Sequence, residues 1–203
     1  LNGKKPYVIA FVGAGGKTSL IRRLAWEGRA RGRKVLVATT THMFRPAAYG
    51  VLSQRAEDVA FQLEQKGLAV AGRASGEEKI AYVGDELYGQ ICPLADLVLV
   101  EADGSKRLPV KVPRPGEPVV PENGDMVLAV LGISSLGKPA EEKCFRLEQA
   151  CRLMDKCGRK DYRKDGRWIL KPEDLACLMR NGYLNPLRLG RPELSVLPVF
   201  NQA

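Results

Sequence analysis

The sequence predicts an α/β fold, with a mainly parallel central sheet flanked by helices in three layers, and three observations carry that prediction. Tyr7 to Val12 is a β-branched, apolar run that ends in a glycine cluster, and Thr18 to Arg31 then places Leu20, Ile21, Leu24, Ala25 and Gly28 at helical spacing. Lys34 to Ala38 supplies a second apolar run behind the turn at Gly32, so the chain opens β-α-β, a unit that calls for parallel strands joined by a right-handed crossover. Leu97 to Val100 is apolar at successive positions, the pattern of a strand covered on both faces.

The remaining elements follow in order. Ala56 to Gln65 has helical periodicity with Gly67 as its stop, Leu68 to Ala71 and Lys79 to Val83 are weaker strands, and Asp85 to Ile91 is a short helix. Leu108 to Pro121 carries Pro109, Pro113, Pro115, Pro118 and Pro121, which forbid helix and central strand alike, so an ordered excursion or a lid is expected. Met126 to Leu131 returns to the sheet, and Glu141 to Met154 reads as one amphipathic segment on which Cys144 and Cys151 share a helical face. Pro172 to Arg180 has Pro at its first helical position, acids in its first turn and Asn181-Gly182 at its end. The basic loop from Lys156 to Arg167 joins these helices, and Val196 to Phe200 is a last strand.

Composition bounds the function. The 203 residues, 45% hydrophobic and 27% charged, fit one globular domain over 1–203 with the proline-rich loop 108–121 inside it. No apolar run approaches the roughly 18 residues of a spanning helix, and the N-terminal residues lack a signal peptide's apolar region, so a cytoplasmic protein with no membrane partner is expected. The cysteines, Cys92, Cys144, Cys151, Cys157 and Cys177, are odd in number and form no C-x-x-C pair, which argues for reduced thiols. Up to Lys34 nine basic residues, Lys4 among them, face the single acid Glu27, leaving +8 of the net +9 in that segment. An anionic partner is therefore expected there. With aromatics at 6% and no stacking or zinc-finger signature, nucleic acid is disfavoured and a phosphorylated small molecule preferred.

Gly13-Ala14-Gly15-Gly16-Lys17-Thr18-Ser19 lies between the first strand and the first helix, the context that a phosphate-binding loop requires. Glycines let consecutive backbone N–H groups turn toward a phosphate, the helix start adds its dipole, Lys17 supplies a point charge, and Thr18 offers a hydroxyl to Mg²⁺. The predicted fold is thus a P-loop NTPase fold. Aligned on Lys17, the usual G-x-x-x-x-G-K-[ST] spacing would put its first glycine at Phe11, so this loop is two residues shorter, which favours a switch-type NTPase over a kinase. Glu101 follows the Leu97–Val100 run where a Walker B acid is expected, with Asp103 two residues on. One carboxylate would hold Mg²⁺ while the other orients the attacking water or a loop, and an exposed turn after a strand is the plainer alternative. Thr39, Thr40 and Thr41 follow the second strand at the carboxyl edge of the sheet, Thr41 as a candidate Mg²⁺ contact, and His42, the single histidine, rules out a multi-histidine metal site. Asn201 stops one residue short of an N-x-x-D guanine-selective motif, and with no initial Met the sequence is expected to be truncated beyond Ala203.

Read together, Gly13 to Ser19, Thr39 to His42, Glu101-Ala102-Asp103-Gly104-Ser105, Pro109-Val110-Lys111, Glu117 to Pro121, the Leu-Gly-Lys-Pro segment at 136–139 and Asn201 resemble the YqeC family. Its members are taken for accessory factors of selenium-dependent molybdenum hydroxylases. The resemblance implies a P-loop nucleotide-binding fold and a part in maturing or inserting a selenium- and molybdenum-containing cofactor. It maps Lys111 and Glu117 onto the family's proline-rich segment, either as a pair that closes over phosphate or partner or as a solvated surface pair. Two positions depart from the family pattern. Phe145-Arg146 stands where a His-Arg pair is usual, which argues against a metal or proton role there, and Gln202 replaces a lysine, which argues against strict guanine selectivity.

The resulting expectation is a nucleoside triphosphate hydrolase that uses Mg²⁺ with ATP or GTP, with Lys17, Glu101 and Asp103 as catalytic candidates, Gly13 to Ser19 and Asn201 on the nucleotide, and Thr18, Thr41 and Asp103 on the metal. Its expected partners are the molybdenum or selenium cofactor and a molybdenum hydroxylase, with homodimerisation left open. A nucleotide-using transferase or kinase, and a non-catalytic nucleotide or RNA binding module, are the alternatives.

Overall fold

In the computed structural model the structure describes residues 5–159, 161–164 and 166–202. Lys4, positions 160 and 165 of the basic loop, and the end at Ala203 lie outside them. The elements run β1 (Tyr7–Gly13), α1 (Lys17–Ala30), β2 (Val35–Thr39), β3 (His42–Phe44), β4 (Gly50–Val51), α2 (Ala56–Lys66), β5 (Leu68–Ala71), β6 (Arg73–Ser75), β7 (Lys79–Ala81), α3 (Asp85–Ile91) and β8 (Leu97–Glu101). There follow β9 (Val110–Lys111), β10 (Met126–Gly132), α4 (Ala140–Lys143), β11 (Cys144–Phe145), α5 (Leu147–Lys156), α6 (Pro172–Met179), α7 (Asn185–Gly190) and β12 (Ser195–Asn201).

The central sheet is parallel, with strand order β12-β10-β1-β8-β2-β5-β4 and flanking helices, the three-layer α/β arrangement expected. Every residue of β2, β5 and β8 is buried, which explains why their sequences are near-continuous apolar runs rather than alternating ones. The outer strand β12 has the mixed exposure of an edge and tolerates Pro198, which lies opposite Ala129 of β10. A smaller antiparallel sheet has the order β3-β7-β6, and β9 pairs in parallel with β11.

The chain divides into two compact units. One runs up to Phe11 and takes in Thr18–Asp103 and Val119–Asp125. Its core joins Val8, Leu36, Val98 and Val100 of the strands to Val59 and Leu63 of α2 and Tyr88 and Ile91 of α3. Gly67 ends α2 in the left-handed conformation at φ +66°, its N–H donating to the Leu63 carbonyl, as the sequence suggests. The other unit comprises Val12–Lys17, Gly104–Pro118 and the chain from Met126 onward, with Leu131, Met154, Leu170 and Tyr183 among its fully buried side chains.

Two expectations need correcting. The amphipathic stretch Glu141 to Met154 is two helices, α4 and α5, separated by β11, because Arg146 adopts φ +68° and breaks the helical path. Cys144 and Cys151 are both buried, yet they belong to different elements rather than one helical face. Nor do Asn181-Gly182 stop the helix that begins at Pro172. The chain passes from α6 through a π-helical turn, Arg180–Leu184, directly into α7. The proline-rich segment contributes one strand, the two-residue β9 between Pro109 and Pro113.

Candidate functional site

The phosphate-loop motif closes in three residues, since β1 ends at Gly13 and α1 begins at Lys17. Gly13, Gly15 and Gly16 have φ of +88°, +81° and +94°, conformations that side-chain-bearing residues rarely adopt. Space is equally restrictive. A Cβ on Gly13 would lie 2.2 Å from the Val130 carbonyl oxygen, and one on Gly15 would lie 2.3 Å from the Gly132 nitrogen. Both obstacles are main chain of β10 and cannot swing aside. The Ala14 N–H donates to the Val130 carbonyl at 2.7 Å, and Asn201 at the end of β12 donates from Nδ2 to the Gly15 carbonyl at 3.2 Å. Next to it, Gln202 accepts from the Ser134 hydroxyl at 2.9 Å. The loop is therefore seated on the ends of β10 and β12. Lys17, only 4% exposed, donates from Nζ to the Gly13 carbonyl at 2.7 Å, so its ammonium folds back over the loop.

In the other unit the carboxyl ends of β2 and β8 are tied together. Thr18, on the first turn of α1, donates its hydroxyl to Glu101 Oε2 at 3.1 Å. Thr39 donates its hydroxyl to the Glu101 carbonyl at 2.8 Å, the Thr40 N–H reaches the same carbonyl at 3.2 Å, and the Thr41 N–H donates to Thr39 Oγ1 at 3.1 Å. The Thr40 hydroxyl donates to the Val119 carbonyl at 2.7 Å. Glu101 and Asp103 are both buried, and Asp103 lies past the end of β8. Thr41 Oγ1 is buried without a hydrogen-bond partner, the single such side-chain atom among the described residues. A buried hydroxyl in that condition costs about 1–3 kcal/mol, which a bound ligand would recover. Ser19 is exposed on α1, and His42 is exposed at the start of β3.

The metal question has a specific answer. No group of three or more His, Cys, Asp or Glu side chains forms a cage among the described residues. Mg²⁺ does not need one: it is commonly bound by one or two protein oxygens plus phosphate and water, and the Thr18–Glu101 pair with the unsatisfied Thr41 hydroxyl fits that donor set.

Lys111 and Glu117 are a buried pair rather than a solvated one. Lys111 donates from Nζ to Glu117 Oε2 at 2.7 Å with its side chain 1% exposed. Arg146 grips the same carboxylate with both terminal nitrogens, at 2.6 and 2.7 Å, and Arg114 adds a contact at 3.1 Å. Burial alone would raise the Glu117 carboxyl, but the hydrogen bonds from Arg146 and Lys111 outweigh it and hold the group at about 2. Burial also pulls the Lys111 ammonium down to about 8, against the pull of Glu117 and with help from the charges of Arg146 and Lys17. Tyr183, fully buried, donates its hydroxyl to the Lys111 carbonyl at 3.3 Å and fixes the strand that carries it. Sequence reasoning did not give Arg146 this part. It lies 29 residues from Glu117, and nothing in its local spacing marks the pairing.

Residues 9–148 match the family model described as "YqeC protein". The chain belongs to the YqeC family. The matched region takes in the glycine loop, Thr39 to His42, Glu101 with Asp103, and the Lys111–Glu117–Arg146 cluster, and ends before β12. The "Uncharacterized protein YqeC" of Escherichia coli (strain K12) is 37% identical to this YqeC-family chain over 160 residues, which cover 72% of this chain and 60% of that protein. The chain thus spans less than two thirds of the length of that relative. Among the described residues, no helix is long and apolar enough to cross a membrane.

Proposed function

We propose that this YqeC-family chain is a Mg²⁺-dependent nucleotide-binding protein that hydrolyses ATP or GTP, serving the maturation or insertion of the cofactor of selenium-dependent molybdenum hydroxylases. The hydrogen bond from Thr18 to Glu101 carries the nucleotide part of this reading. It puts the hydroxyl that follows a phosphate-loop lysine against a buried strand-end carboxylate, the two protein groups that P-loop NTPases use for Mg²⁺. The cofactor part rests on the family resemblance alone.

With the Ala14 amide engaged by Val130, the amides from Gly15 onward are assigned to the phosphates, with Lys17 leaving the Gly13 carbonyl to pair with them. Thr18 and Glu101 would hold Mg²⁺, with Thr41 as a further oxygen donor, and the ion would supply charge neutralisation on the phosphates. Asp103 is the remaining buried carboxylate of this region and is assigned to orienting the attacking water.

The test is a calorimetric titration of ATP and of GTP, with and without Mg²⁺. We expect Mg²⁺ to strengthen binding of one of them. Lys17→Ala should weaken it by roughly thirtyfold or more, the value of a charge-assisted contact to phosphate. Glu101→Gln keeps a hydrogen-bonding group beside Thr18 but removes the charge, so its binding should no longer respond to Mg²⁺. Affinity that ignores both substitutions would sink the proposal.

A further inference from the structure

The phosphate loop accounts for only part of the basic segment that opens the chain. Beyond Lys17 that segment contains Arg22, Arg23, Arg29, Arg31, Arg33 and Lys34, against the single acid Glu27. Helix α1 carries these residues away from the loop, its end at Ala30 lying about 20 Å along the axis from Lys17. That is more than two screening lengths at physiological salt, about 8 Å each, so a phosphate held by the glycines does not neutralise the charges at the far end. Some have partners of their own. Arg23 pairs with Glu27, and Lys34 with Glu64. Arg29 donates from Nε to the Lys66 carbonyl at 2.7 Å and from Nη1 to the Tyr49 hydroxyl at 3.1 Å. Arg22, Arg31 and Arg33 are exposed and make no ion pair or side-chain hydrogen bond among the described residues.

An aromatic ring stands within this row of arginines. On α1, Ile21, Ala25 and Gly28 are buried, which turns Arg22, Arg23, Trp26 and Ala30 to the surface. Trp26 is 49% exposed, with Arg22 and Arg23 one turn before it and Arg31 beyond it. Its ring is held in place. Tyr49 meets it edge to face with 5.9 Å between centroids, and the guanidinium of Arg29, itself fixed by Lys66 and Tyr49, lies 5.2 Å from its centroid. Aromatics are scarce in the chain as a whole, at 6%, yet this one is rigid, half in water and flanked by cations without a counter-charge. A small anion would use the cations and leave the ring. An acidic peptide would do the same, since a carboxylate side chain has no π-face to cover it. A single nucleic-acid strand uses both, its phosphates on the arginines and an unpaired base on the ring.

We propose that the solvent face of α1 and the turn that follows it, carrying Arg22, Trp26, Arg31 and Arg33, bind a single nucleic-acid strand, with phosphates on the arginines and a base stacked on Trp26. Arg29 and Tyr49 orient the ring without touching the strand. All of these residues belong to the first unit, and the surface does not depend on the nucleotide reading.

The experiment titrates a dye-labelled oligo(U) of about 12 nucleotides, within the ~4–16 that single-strand sites occupy, into the full chain carrying Lys17→Ala, which disables the glycine loop. Anisotropy of the dye gives the affinity. Tryptophan emission reads the contact, because the other tryptophan, Trp168, is buried. Oligo(U) should quench that emission, and log affinity should fall against log salt with a slope of about −2, the counterion release for three phosphates of a single strand. Arg22→Ala with Arg33→Ala should flatten the slope to about −0.7. Removing two exposed cations on other elements, by Arg73→Ala with Lys138→Ala, should leave it unchanged. None of these four side chains is buried, so the thermal midpoint should hold. Trp26→Ala should weaken binding about tenfold, the value of one stacked base, without changing the slope, and Trp26→Phe should recover part of the loss. Equal binding of oligo(dT) would support the same face, and a preference for oligo(U) would support it with RNA as the strand. Oligo(U) that binds the wild-type chain but not Lys17→Ala would place the strand in the glycine loop and overturn the proposal. An affinity that ignores the arginine pair would overturn it too. So would poly-glutamate that displaces the probe as well as unlabelled oligo(U) does, or phosphatidylserine vesicles that bind more tightly. If ATP and GTP fail to bind while oligo(U) binding survives, the nucleotide proposal falls and this one stands.

Discussion

At the residue scale, Asn201 is tied to the glycine loop. Its side-chain amide supports the Gly15 carbonyl, so its contribution is to hold the loop in shape. Asn201→Ala should cost about 1 kcal/mol of stability, the worth of one neutral hydrogen bond, and should lower affinity for ATP and GTP alike. Loss of GTP binding with ATP binding intact would instead show that it reads the base. The glycines were legible because only a residue without Cβ can follow the path at Gly13 and Gly15. The tie between Glu117 and Arg146 was not, because it arises from the pairing of β9 with β11, elements of two residues each that carry no periodic signal.

At the element scale, buried strands and helices with a clear stop signal were read to within a residue or two, as β5 and α2 show. Failures occurred where a local signal was overruled by packing. Arg146 interrupts an unbroken amphipathic pattern because its left-handed backbone turns the guanidinium onto Glu117. Replacement by glycine should therefore be less damaging than replacement by alanine, by about 1 kcal/mol in chemical unfolding, since both lose the ion pair and only alanine keeps the strain. Asn181-Gly182 is a stop signal that does not stop the helix. Asn181 donates instead to the Cys177 carbonyl at 3.0 Å, and a Cβ on Gly182 would meet Leu153, Pro113 and Val112 at ordinary distances of 3.5–3.9 Å. Gly182→Ala should consequently stabilise the protein by up to about 1 kcal/mol. An equal substitution at Gly15 should destabilise it by more than about 2 kcal/mol, because the added carbon meets main chain. The short strands β3, β4 and β6 were invisible to sequence, being two or three residues long and largely exposed.

For the whole molecule, the buried ion cluster sets a pH signature. Glu117 has its folded value lowered from 4.5 to about 2, so its contribution to stability is complete above pH 4.5 and is lost as pH falls toward 2. Lys111 is the opposite case, an ammonium lowered from 10.5 to about 8. Between pH 8 and 10.5 the unfolded chain holds more protons at this position than the folded one, so stability from Lys111 rises with pH across that window. Comparing thermal midpoints of the wild-type chain and Lys111→Met from pH 8 to 10.5 isolates the effect. The difference between the two should shift in favour of the wild-type chain as pH increases, and a flat difference would mean that Lys111 keeps an ordinary affinity for its proton.

The seating of the glycine loop has one more consequence. Gly13 lies against the Val130 carbonyl and Gly15 against the Gly132 nitrogen, with the Asn201 amide closing the far side. The loop's length is therefore dictated by the sheet beneath it, not by the ligand above it. Inserting two residues to restore the commoner spacing would lift the peptide units off their supports, and a longer loop of more familiar pattern should be the poorer receptor.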